Sequence, residues 1–419
     1  MLGWEFPPII NGGLGIACHD LSSAMSNFTD LTMVVPKSSP DFKMKNMKLI
    51  GINNIDVSSF HSSSLSEKKL PFKLHSVPAD LNPYFIEGNE SKENLSPGFN
   101  AMHGKGNSKT FDIDNLYGGD VIGKVMQYAD ITSSLASNMD FDVIHAHDWM
   151  TMIAGMKIKK QSGKPLVMHI HSLEVDRSGP GSKGWVYELE KKGMEYADLL
   201  MPVSNFTAGN ISTYYNISRS KMSVIHNGST IVKSFKSPKR FKEKIVLFVG
   251  RLTRQKGPEK FLEIASRVLE KNSDVRFVMA GVGDYFKNLL QESSYKSIGN
   301  RFHLTGFLNL EKLRYLLSVS DVYCMPSVSE PFGLSAVEAA QFGVPCVISK
   351  QSGVAEVLNG ALKFDFWDID KAASSILSLL NDSVLRKKVV EDASLNLDKI
   401  SWDISARKVV ESYSSNKII

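Results

Sequence analysis

The most informative segment of the chain reads Ser329-Glu-Pro-Phe-Gly-Leu-Ser-Ala-Val-Glu-Ala-Ala340. It follows an apolar run at 321–325 that is typical of a buried strand, and its second half has the pattern of a helix that ends near Gly343. Pro331 and Gly333 predict a tight loop between strand and helix, and Gly333 allows the backbone to approach a ligand closely. The free N–H groups and positive dipole end of the helix favour a bound phosphate.

Two glutamates in this segment favour a sugar beside the phosphate. Glu330 stands on the loop and Glu338 lies about one turn into the helix, so both side chains can reach parts of one ligand. Carboxylates are poor partners for phosphate and good acceptors for sugar hydroxyls. The alternative is an ordinary strand–loop–helix crossover with two solvated glutamates, and this segment alone does not separate the two hypotheses.

A cluster of cations follows an earlier strand, at Phe248-Val-Gly-Arg-Leu-Thr-Arg-Gln-Lys-Gly257. Arg251 and Lys256 can both reach a diphosphate, the first as a planar fork and the second as a point charge, whereas we expect Arg254 to be solvated. The run Met279-Ala-Gly-Val-Gly-Asp284 closes another strand with a Gly-x-Gly turn. That signal is weak because the full dinucleotide fingerprint is missing.

Short apolar runs rich in β-branched residues alternate with helical patterns along the chain, which predicts an α/β fold built on parallel sheets. The run 231–244 is basic and contains proline, so we expect it to link two doubly wound domains. Such domains bind ligands in a cleft at the carboxyl ends of their strands. The expected strands are 31–36, 72–77, 142–147, 166–171, 199–203, 222–226, 245–250, 275–280, 302–305, 321–325 and 346–349.

The amino end is unusual for such a domain, because only residues 1–4 precede a Glu-Phe-Pro-Pro turn. We expect the first strand to be very short or to be replaced by other structure. The segment 87–109 is rich in Asn, Ser, Gly and Lys and is expected to be a surface loop. Neither a signal peptide nor an apolar run of about eighteen residues is evident, so the predicted location is the cytoplasm.

The composition is that of a globular protein, with 42% hydrophobic and 22% charged residues, and 419 residues suffice for two domains. The formal charge of +5, from 49 basic and 44 acidic residues, does not indicate a nucleic-acid partner and suits an anionic small-molecule substrate. Cys18, Cys324 and Cys346 lie far apart and are odd in number. This argues against a disulfide framework or a zinc knuckle.

The combination Gly250-Arg-Leu-x-x-x-Lys-Gly257 with Glu330-Pro-Phe-Gly-Leu-x-x-x-Glu338 resembles the retaining GT-B glycosyltransferases of the group 1 set. That set includes glycogen synthases and sucrose-phosphate-type synthases. The resemblance runs from Trp4 to about Trp402 and implies two Rossmann-like domains that face each other across a cleft. Their implied bounds are 1–235 for an acceptor-side domain, 236–398 for a nucleotide-sugar domain and 399–419 for a terminal helix that crosses back to the first domain.

The resemblance also implies how the donor is held in the second half. Four side chains would contact it: Arg251 and Lys256 its diphosphate, Glu330 the transferred sugar and Glu338 the ribose. Backbone amides would line the sugar and phosphate pocket, namely those of Phe332, Gly333 and Leu334.

In the first half, Asn11-Gly-Gly-Leu-Gly15 precedes a helical pattern, and a glycine-rich turn at a helix start can hold an anion. It resembles the family's loop that closes over the donor phosphate, which implies donor contacts at Gly12, Gly13 and Gly15. The best-known bacterial and plant synthases carry Lys two residues before the paired glycines, where this chain has Ile10. This difference puts ADP-glucose-type specificity in doubt and points to a side branch of the family.

Two His-x-His pairs stand at strand ends, in His145-Ala-His-Asp-Trp149 and in His169-Ile-His171. A spacing of two places both members of a pair on one face of a strand. A metal site is one interpretation, although the chain lacks the further His and the carboxylate pattern of metallo-hydrolases. Buried histidines satisfied by their neighbours would account for His145 and His169.

By the resemblance, Asp148 and His171 face the donor sugar with His147 beside them. The backbone carbonyl of His171 would help to stabilise positive charge at the anomeric carbon. Asn227 would be a further contact in the cleft. A polar loop follows His171 and contacts the acceptor or only water, through Glu174, Asp176 and Arg177.

The expected activity is transfer of a sugar, glucose in the first hypothesis, from a nucleotide diphosphate to a growing α-glucan, with retention of configuration. No residue is an obvious nucleophile, so we expect a front-face route in which the leaving diphosphate accepts the acceptor's proton. No metal or cofactor is expected. ADP- or UDP-glucose is the expected donor and a carbohydrate the expected acceptor, without nucleic acid or membrane insertion.

Two alternatives stay open. One is a group 1 glycosyltransferase that acts on a small sugar, a sugar phosphate or a lipid-linked acceptor. The other is a metallo-hydrolase or a sensor of nucleotide sugars that has no catalytic activity.

Overall fold

The computed structural model describes residues 1–10, 12–55, 116, 121–232, 235, 237–239 and 242–419. The expected strand at 72–77, the expected loop at 87–109 and Asn11 lie outside the described residues. The described chain forms parallel sheets covered by helices, which confirms the predicted α/β class.

The first half alternates helices and strands. They are α1 (Gly13–Met25), β1 (Thr32–Val35), β2 (Lys48–Gly51), α2 (Val121–Ala136), β3 (Ile144–His147), α3 (Trp149–Ser162), β4 (Leu166–Ile170), α4 (Glu174–Ser178), α5 (Trp185–Tyr196), β5 (Leu199–Pro202) and α6 (Asn205–Tyr215). Strand β1 pairs in parallel with β2, and β3, β4 and β5 form a second parallel set in that order. β2 is not among the expected strands because it is short and only partly buried.

Leu2 joins these two sets into one sheet. It pairs in parallel with Val34 on one side and with Ala146 on the other. The N–H of Leu2 donates to the carbonyl of His145 (2.8 Å), and that of Gly3 donates to the carbonyl of Val34 (3.0 Å). The first strand is therefore very short, as expected, and it lies at the centre of the sheet with both edges hydrogen-bonded.

The segment 222–226 is not the regular strand that the sequence predicts. Met222 forms one isolated bridge with Leu200, and the N–H of Ile225 donates to the carbonyl of Pro202 (3.0 Å). The pairing stops there because the chain turns into a loop that lies against the last helix.

The second half begins at β6 (Lys244–Val249). It continues with α7 (Pro258–Leu269), β7 (Val275–Ala280), α8 (Phe286–Tyr295), β8 (Phe302–Gly306), α9 (Leu310–Val319), β9 (Val322–Met325), α10 (Leu334–Gln341), β10 (Cys346–Ser349), α11 (Val354–Val357), β11 (Leu362–Phe364), α12 (Ile369–Asn381), α13 (Ser383–Leu397) and α14 (Trp402–Ser415). The expected strands 275–280 and 346–349 match β7 and β10 residue for residue.

The strand order in the second half is β11-β10-β9-β6-β7-β8, all parallel. The direction of winding reverses between β6 and β9. In doubly wound sheets this switch point opens a crevice at the carboxyl ends of the strands, where ligands bind. The two motifs that the sequence singles out follow β6 and β9.

Helix α14 packs against the first half rather than the second. Trp402, Val409 and Tyr413 share a buried cluster with Cys18 and Leu21 of α1. No helix of the described segments combines the length and the apolar character that crossing a bilayer needs.

Candidate active site

The loops after β6, β7 and β9 meet at one edge of the second sheet. The N–H of Leu252 donates to the carbonyl of Val282 (2.9 Å), and that of Val328 donates to the carbonyl of Gln255 (2.9 Å). Gly257 has φ +65, and a Cβ there would lie 2.2 Å from the carbonyl oxygen of Pro326. Close backbone contact thus brings the two motifs together at the switch point.

Lys256 and Glu330 form an ion pair between the two motifs. The distance from Lys256 Nζ to Glu330 Oε2 is 2.5 Å, and Ser327 Oγ donates to the same oxygen (3.3 Å). The carboxylate side chain is only 7% exposed, compared with 23% for the lysine. The sequence predicts both residues in the site, and the structure adds that each is the other's partner.

Gly333 lies at the amino end of α10 with φ +108, a conformation that side chains other than glycine rarely adopt. Phe332 is buried before it, and Leu334 begins the helix, so the first turn, whose N–H groups a helix leaves without carbonyl partners one turn earlier, lies here. Burial raises the pKa of Glu338, one turn further on, and the charge of Arg314 acts in the opposite direction.

The two arginines of the first motif differ in their surroundings. Both are exposed, and Arg251 follows Gly250, the first residue after β6. The guanidinium of Arg254 lies against Gly179 of the first half, with its Nη1 2.7 Å from where a Cβ would stand. Arg254 therefore contacts the other half of the chain, which the sequence does not predict.

The glycine-rich turn of the first half opens α1, as predicted. The N–H of Gly12 donates to Glu5 Oε2 (3.2 Å), and a Cβ on Gly15 would lie 2.5 Å from a methyl carbon of Ile10. The Glu5 carboxylate is thus a buried acid at the helix start where the sequence predicts a phosphate. Its position in the Glu-Phe-Pro-Pro turn gives no periodic signal, so sequence reasoning missed it.

Asp148 is turned toward the backbone of His171. Its Oδ1 accepts hydrogen bonds from the N–H of His171 (2.6 Å) and of Ser172 (3.2 Å). Asp148 itself has φ +58, which is uncommon outside glycine. Burial raises its pKa to about 7, against the opposing effect of the His171 hydrogen bond. The residue fixes the course of the chain at His171.

Replacing Asp148 by asparagine should be tolerated far better than replacing it by alanine. Asparagine keeps an acceptor oxygen and tolerates a positive φ, whereas alanine leaves two buried N–H groups unpaired at a cost of roughly 2–4 kcal/mol. The folded pKa lies above the unfolded value, so the folded chain holds an extra proton between about pH 4 and 7 and the carboxyl's contribution to stability falls as pH rises through this window. Urea unfolding gives the free energy of unfolding of Asp148→Asn and of the native chain at pH 5 and pH 8. Relative to the native chain, the variant should be more stable at pH 8 than it is at pH 5. The same difference in stability at both pH values would contradict this prediction.

Four histidines lie on one face of the sheet, His145 and His147 on β3, His169 on β4 and His171 directly after β4. Their rings lie within 27° of parallel, with neighbouring centroids 4.6–5.3 Å apart. His145 bonds Tyr413 through Nδ1 and His169 through Nε2 (3.2 Å), and His147 Nδ1 bonds His171 Nε2 (2.9 Å). Burial lowers the pKa of all four imidazoles, which are therefore neutral near pH 7.

These rings are poorly arranged for a metal. Ligand atoms of His145, His147 and His169, and of Cys18, His147 and His171, approach within 4.8 Å of one another. However, imidazole lone pairs lie in the ring plane, so near-parallel rings do not aim at one tetrahedral centre. Both nitrogens of His145 are already hydrogen-bonded. A site without metal stays a prediction that elemental analysis can test.

The segment after His171 forms helix α4 where the sequence predicts a polar loop, and it contacts the second half directly. Ser329 Oγ donates to Asp176 Oδ1 (2.6 Å), and Ser329 is the residue before Glu330. Arg177 is buried between Glu190 (2.7 Å) and Glu174 (3.2 Å). Glu174 and Asp176 are buried and the Arg177 side chain is only 7% exposed, so these side chains are not merely solvated, and their contact with an acceptor stays a prediction.

Asn227 is buried in the loop that leads to the second half. This loop lies against the first turn of α14: Ser405 Oγ donates to the carbonyl of His226 (2.6 Å), and a Cβ on Gly228 would lie 2.2 Å from the backbone nitrogen of Trp402.

Glu356 of the second half docks on the start of α6 in the first half. Its carboxylate accepts from the N–H of Asn205 (2.9 Å) and of Phe206 (2.7 Å), and it lies 2.7 Å from His226 Nε2. Burial acts to raise the pKa of Glu356, but the hydrogen bonds from His226 and the two N–H groups outweigh it and leave the pKa below its ordinary value. An anion at a helix start is also favoured by the helix dipole.

Glu356→Gln should lower the free energy of unfolding by about 1 kcal/mol at pH 7, the scale of a lost helix-cap interaction. A carboxyl with a lowered pKa stabilises the fold above its unfolded pKa and loses this effect as pH falls through the folded value, so the deficit should shrink at pH 3. Urea titration at both values measures it. Glu263→Gln is the matched control, since Glu263 pairs with Lys260 on the surface and should change stability by less than about 0.5 kcal/mol. Equal deficits for both variants would contradict the assignment.

Comparison with known sequences agrees with this arrangement. Residues 230–395 match the family model "Glycosyl transferases group 1", and residues 121–230 match "Glycosyltransferase Family 4". An uncharacterized glycosyltransferase of Methanocaldococcus jannaschii is 32% identical over 300 residues, 65% of this chain and 75% of the relative. The glycogen synthase of Mycobacterium tuberculosis is 24% identical over 435 aligned positions, covering 100% of this chain and 94% of the relative.

Solved structures show the same fold. Sucrose-phosphate synthase from Thermosynechococcus elongatus superposes with a TM-score of 0.71 at 17% identity, over 99% of this chain and 97% of that one. Anabaena HepE in complex with UDP and glucose gives 0.64 at 15% identity, over 99% and 98%. At these identities the likeness establishes the fold alone.

The two Rossmann-like halves have the GT-B fold, and the family match identifies a glycosyltransferase that uses a nucleotide sugar. The chain belongs to the group 1 glycosyltransferases, the family that its motifs predict.

Proposed function

We propose that the protein transfers glucose from a nucleotide diphosphate to a hydroxyl of an α-glucan, with retention of configuration. The Lys256–Glu330 ion pair carries this proposal, because it puts a cation and a hydroxyl acceptor side by side at the switch point. The match of the whole chain to a glycogen synthase supports a glucan acceptor. The HepE complex with UDP and glucose supports UDP-glucose as a donor beside ADP-glucose.

The donor would lie between the two halves. Lys256 and Arg251 would hold its diphosphate together with the first turn of α10, and Glu330 would accept hydroxyls of the glucose. Glu338 would bind the ribose. The remaining donor contacts are proposed at the amides of Phe332, Gly333 and Leu334, at Asn227, and at the glycine-rich turn of Gly12, Gly13 and Gly15.

The chemistry would be a front-face displacement. The bond from the anomeric carbon to the diphosphate breaks while the acceptor oxygen attacks from the same side, and the leaving phosphate oxygen takes the acceptor's proton. The cations and the α10 dipole would stabilise the charge that develops on the diphosphate, and the His171 carbonyl the charge on the sugar. Asp148 would keep this carbonyl in place. No cofactor is assigned, and closure of the halves would exclude water.

A thermal-shift screen with ADP-, UDP- and GDP-glucose tests the donor, because a ligand of the folded state stabilises by mass action. We expect one of the first two to give the largest increase in Tm. The same donor should then extend glycogen, with the new linkage shown to be α by NMR. No shift with any nucleotide sugar, together with no turnover, would refute the proposal, and a β-linked product would refute retention.

The second candidate is transfer to a small sugar, a sugar phosphate or a lipid-linked acceptor. Ile10 favours it, since this exposed residue stands where the best-known glycogen synthases have lysine. Turnover with small acceptors and not with glycogen would support it.

The proposed domain bounds are 1–235 and 236–398, with 399–419 returning to the first domain; limited proteolysis near residue 235 would test them.

A further inference from the structure

Of the four histidines, His171 is the one proposed to meet the donor sugar, and His147 is its hydrogen-bonded neighbour. His171 Nε2 is hydrogen-bonded to His147 Nδ1 at 2.9 Å. His171 Nδ1 is buried and has no hydrogen-bond partner among the described residues. A buried polar atom without a partner costs roughly 1–3 kcal/mol. Nε2 of His147 and Nε2 of His169 also lack a partner in the described part of the chain, so it is the proposed place of His171 at the sugar that makes its Nδ1 the atom to meet a ligand.

The N···N contact ties the protons of the two rings together. Burial lowers the pKa of both, so each imidazole is neutral and carries one proton. A hydrogen bond between two nitrogens needs one proton on one side only. If His147 donates, His171 must carry its own proton on Nδ1; if His171 donates, its Nδ1 must be bare.

We propose that His147 is a positioning residue, which engages Nε2 of His171 and thereby fixes both the ring orientation and the tautomer of the nitrogen that meets the donor sugar. This inference rests on the proposed role of His171 at the sugar. The backbone of His171 is held separately by Asp148. Backbone and side chain of His171 are thus oriented by two adjacent residues at the end of β3.

The other pair of histidines provides a control. His145 is on the same strand and face as His147 and is as deeply buried. It bonds Tyr413 and His169, with no hydrogen bond to His171 among those of the described residues. A role limited to packing predicts similar effects for the two positions, whereas a positioning role does not.

The test compares His147→Asn, His147→Gln and His145→Asn. The amide nitrogen of asparagine can occupy the place of imidazole Nδ1, whereas that of glutamine corresponds to Nε2. We expect His147→Gln to lower kcat roughly 10- to 100-fold with little change in donor KM, as when other orienting partners are lost. His147→Asn should recover most of the rate, and His145→Asn should stay within about threefold of the native enzyme. A packing role would instead favour glutamine, the larger side chain.

NMR of protein labelled with ¹⁵N-histidine gives a readout that does not depend on catalysis. The native chain should show one tautomer for His171 and a coupling across the N–H···N bond to His147, and His147→Gln should abolish that coupling. Absence of the coupling in the native chain, or equal kcat losses in all three variants, would overturn the inference. If the coupling is present while no nucleotide sugar is turned over, the proposed function fails and the pairing of the histidines stands.

Discussion

Lys256→Ala should lower the rate of glycosyl transfer by roughly 10²- to 10³-fold, the loss seen when one group that stabilises a developing negative charge is removed. The ammonium lies 2.5 Å from Glu330 at the switch point, where the diphosphate would leave. Its charge would matter most in the transition state, so kcat should fall more than donor affinity. Steady-state kinetics with the preferred donor and a saturating acceptor measure the effect.

Lys244→Ala is the matched control for this variant. Lys244 also pairs with a carboxylate, Asp321 at 3.4 Å, but it stands at the opposite end of β6 from the site. Its removal should leave kcat within about twofold. Urea unfolding of both variants separates lost chemistry from lost stability, because Lys256→Ala leaves Glu330 without its cation. Retention of the native rate in Lys256→Ala would refute the assignment of the diphosphate site.

Sequence reasoning predicted the parts of this protein that have a local signature. β7 and β10 are short runs of mostly apolar residues, several of them β-branched, with one polar residue each, and this pattern predicts their bounds. The loops at the carboxyl ends of β6 and β9 are likewise predictable, because Gly250 and Gly257 in the first and Pro331 and Gly333 in the second mark close approach and tight turns. The family is predictable for the same reason, since its motifs lie in these loops, and the sequence comparison confirms it.

The missing parts are contacts between distant segments. A strand as short as that at Leu2 has no periodicity, and its place between β1 and β3 depends on the folding of both. The partner of Glu356 lies about 150 residues earlier in the chain. In the register of β3 and β4, His147 lies opposite His169, yet its ring is hydrogen-bonded to that of His171. This pairing depends on how the two strands are aligned. These contacts follow from register and docking, which a single sequence does not encode locally.

Gly281→Ala should lower the free energy of unfolding by more than about 4 kcal/mol, beyond the usual range for one substitution. Gly281 directly follows β7 and has φ +152, outside the regions that residues with a side chain populate. A Cβ there would lie 1.8 Å from the carbonyl oxygen of Gly250, the residue before Arg251. Because that oxygen belongs to the backbone, it cannot rotate away, so the ends of β6 and β7 must separate.

Gly306→Ala is the control that separates the cost of the steric clash from the cost of a positive φ. Gly306 is paired with Gly281 in an isolated bridge and also has a positive φ, +71, but no atom lies within 4 Å of where its Cβ would stand. It should therefore cost only the 1–2 kcal/mol of a left-handed residue. Urea unfolding measures the loss of stability in both variants. The thermal shift caused by the preferred donor should be smaller in Gly281→Ala, because Arg251 moves with Gly250, and should be unchanged in Gly306→Ala. If Gly281→Ala and Gly306→Ala lose equal stability, the loops after β6 and β7 can move apart at little cost. The carboxyl ends of these strands would then not hold Arg251 in the fixed position that a diphosphate site needs.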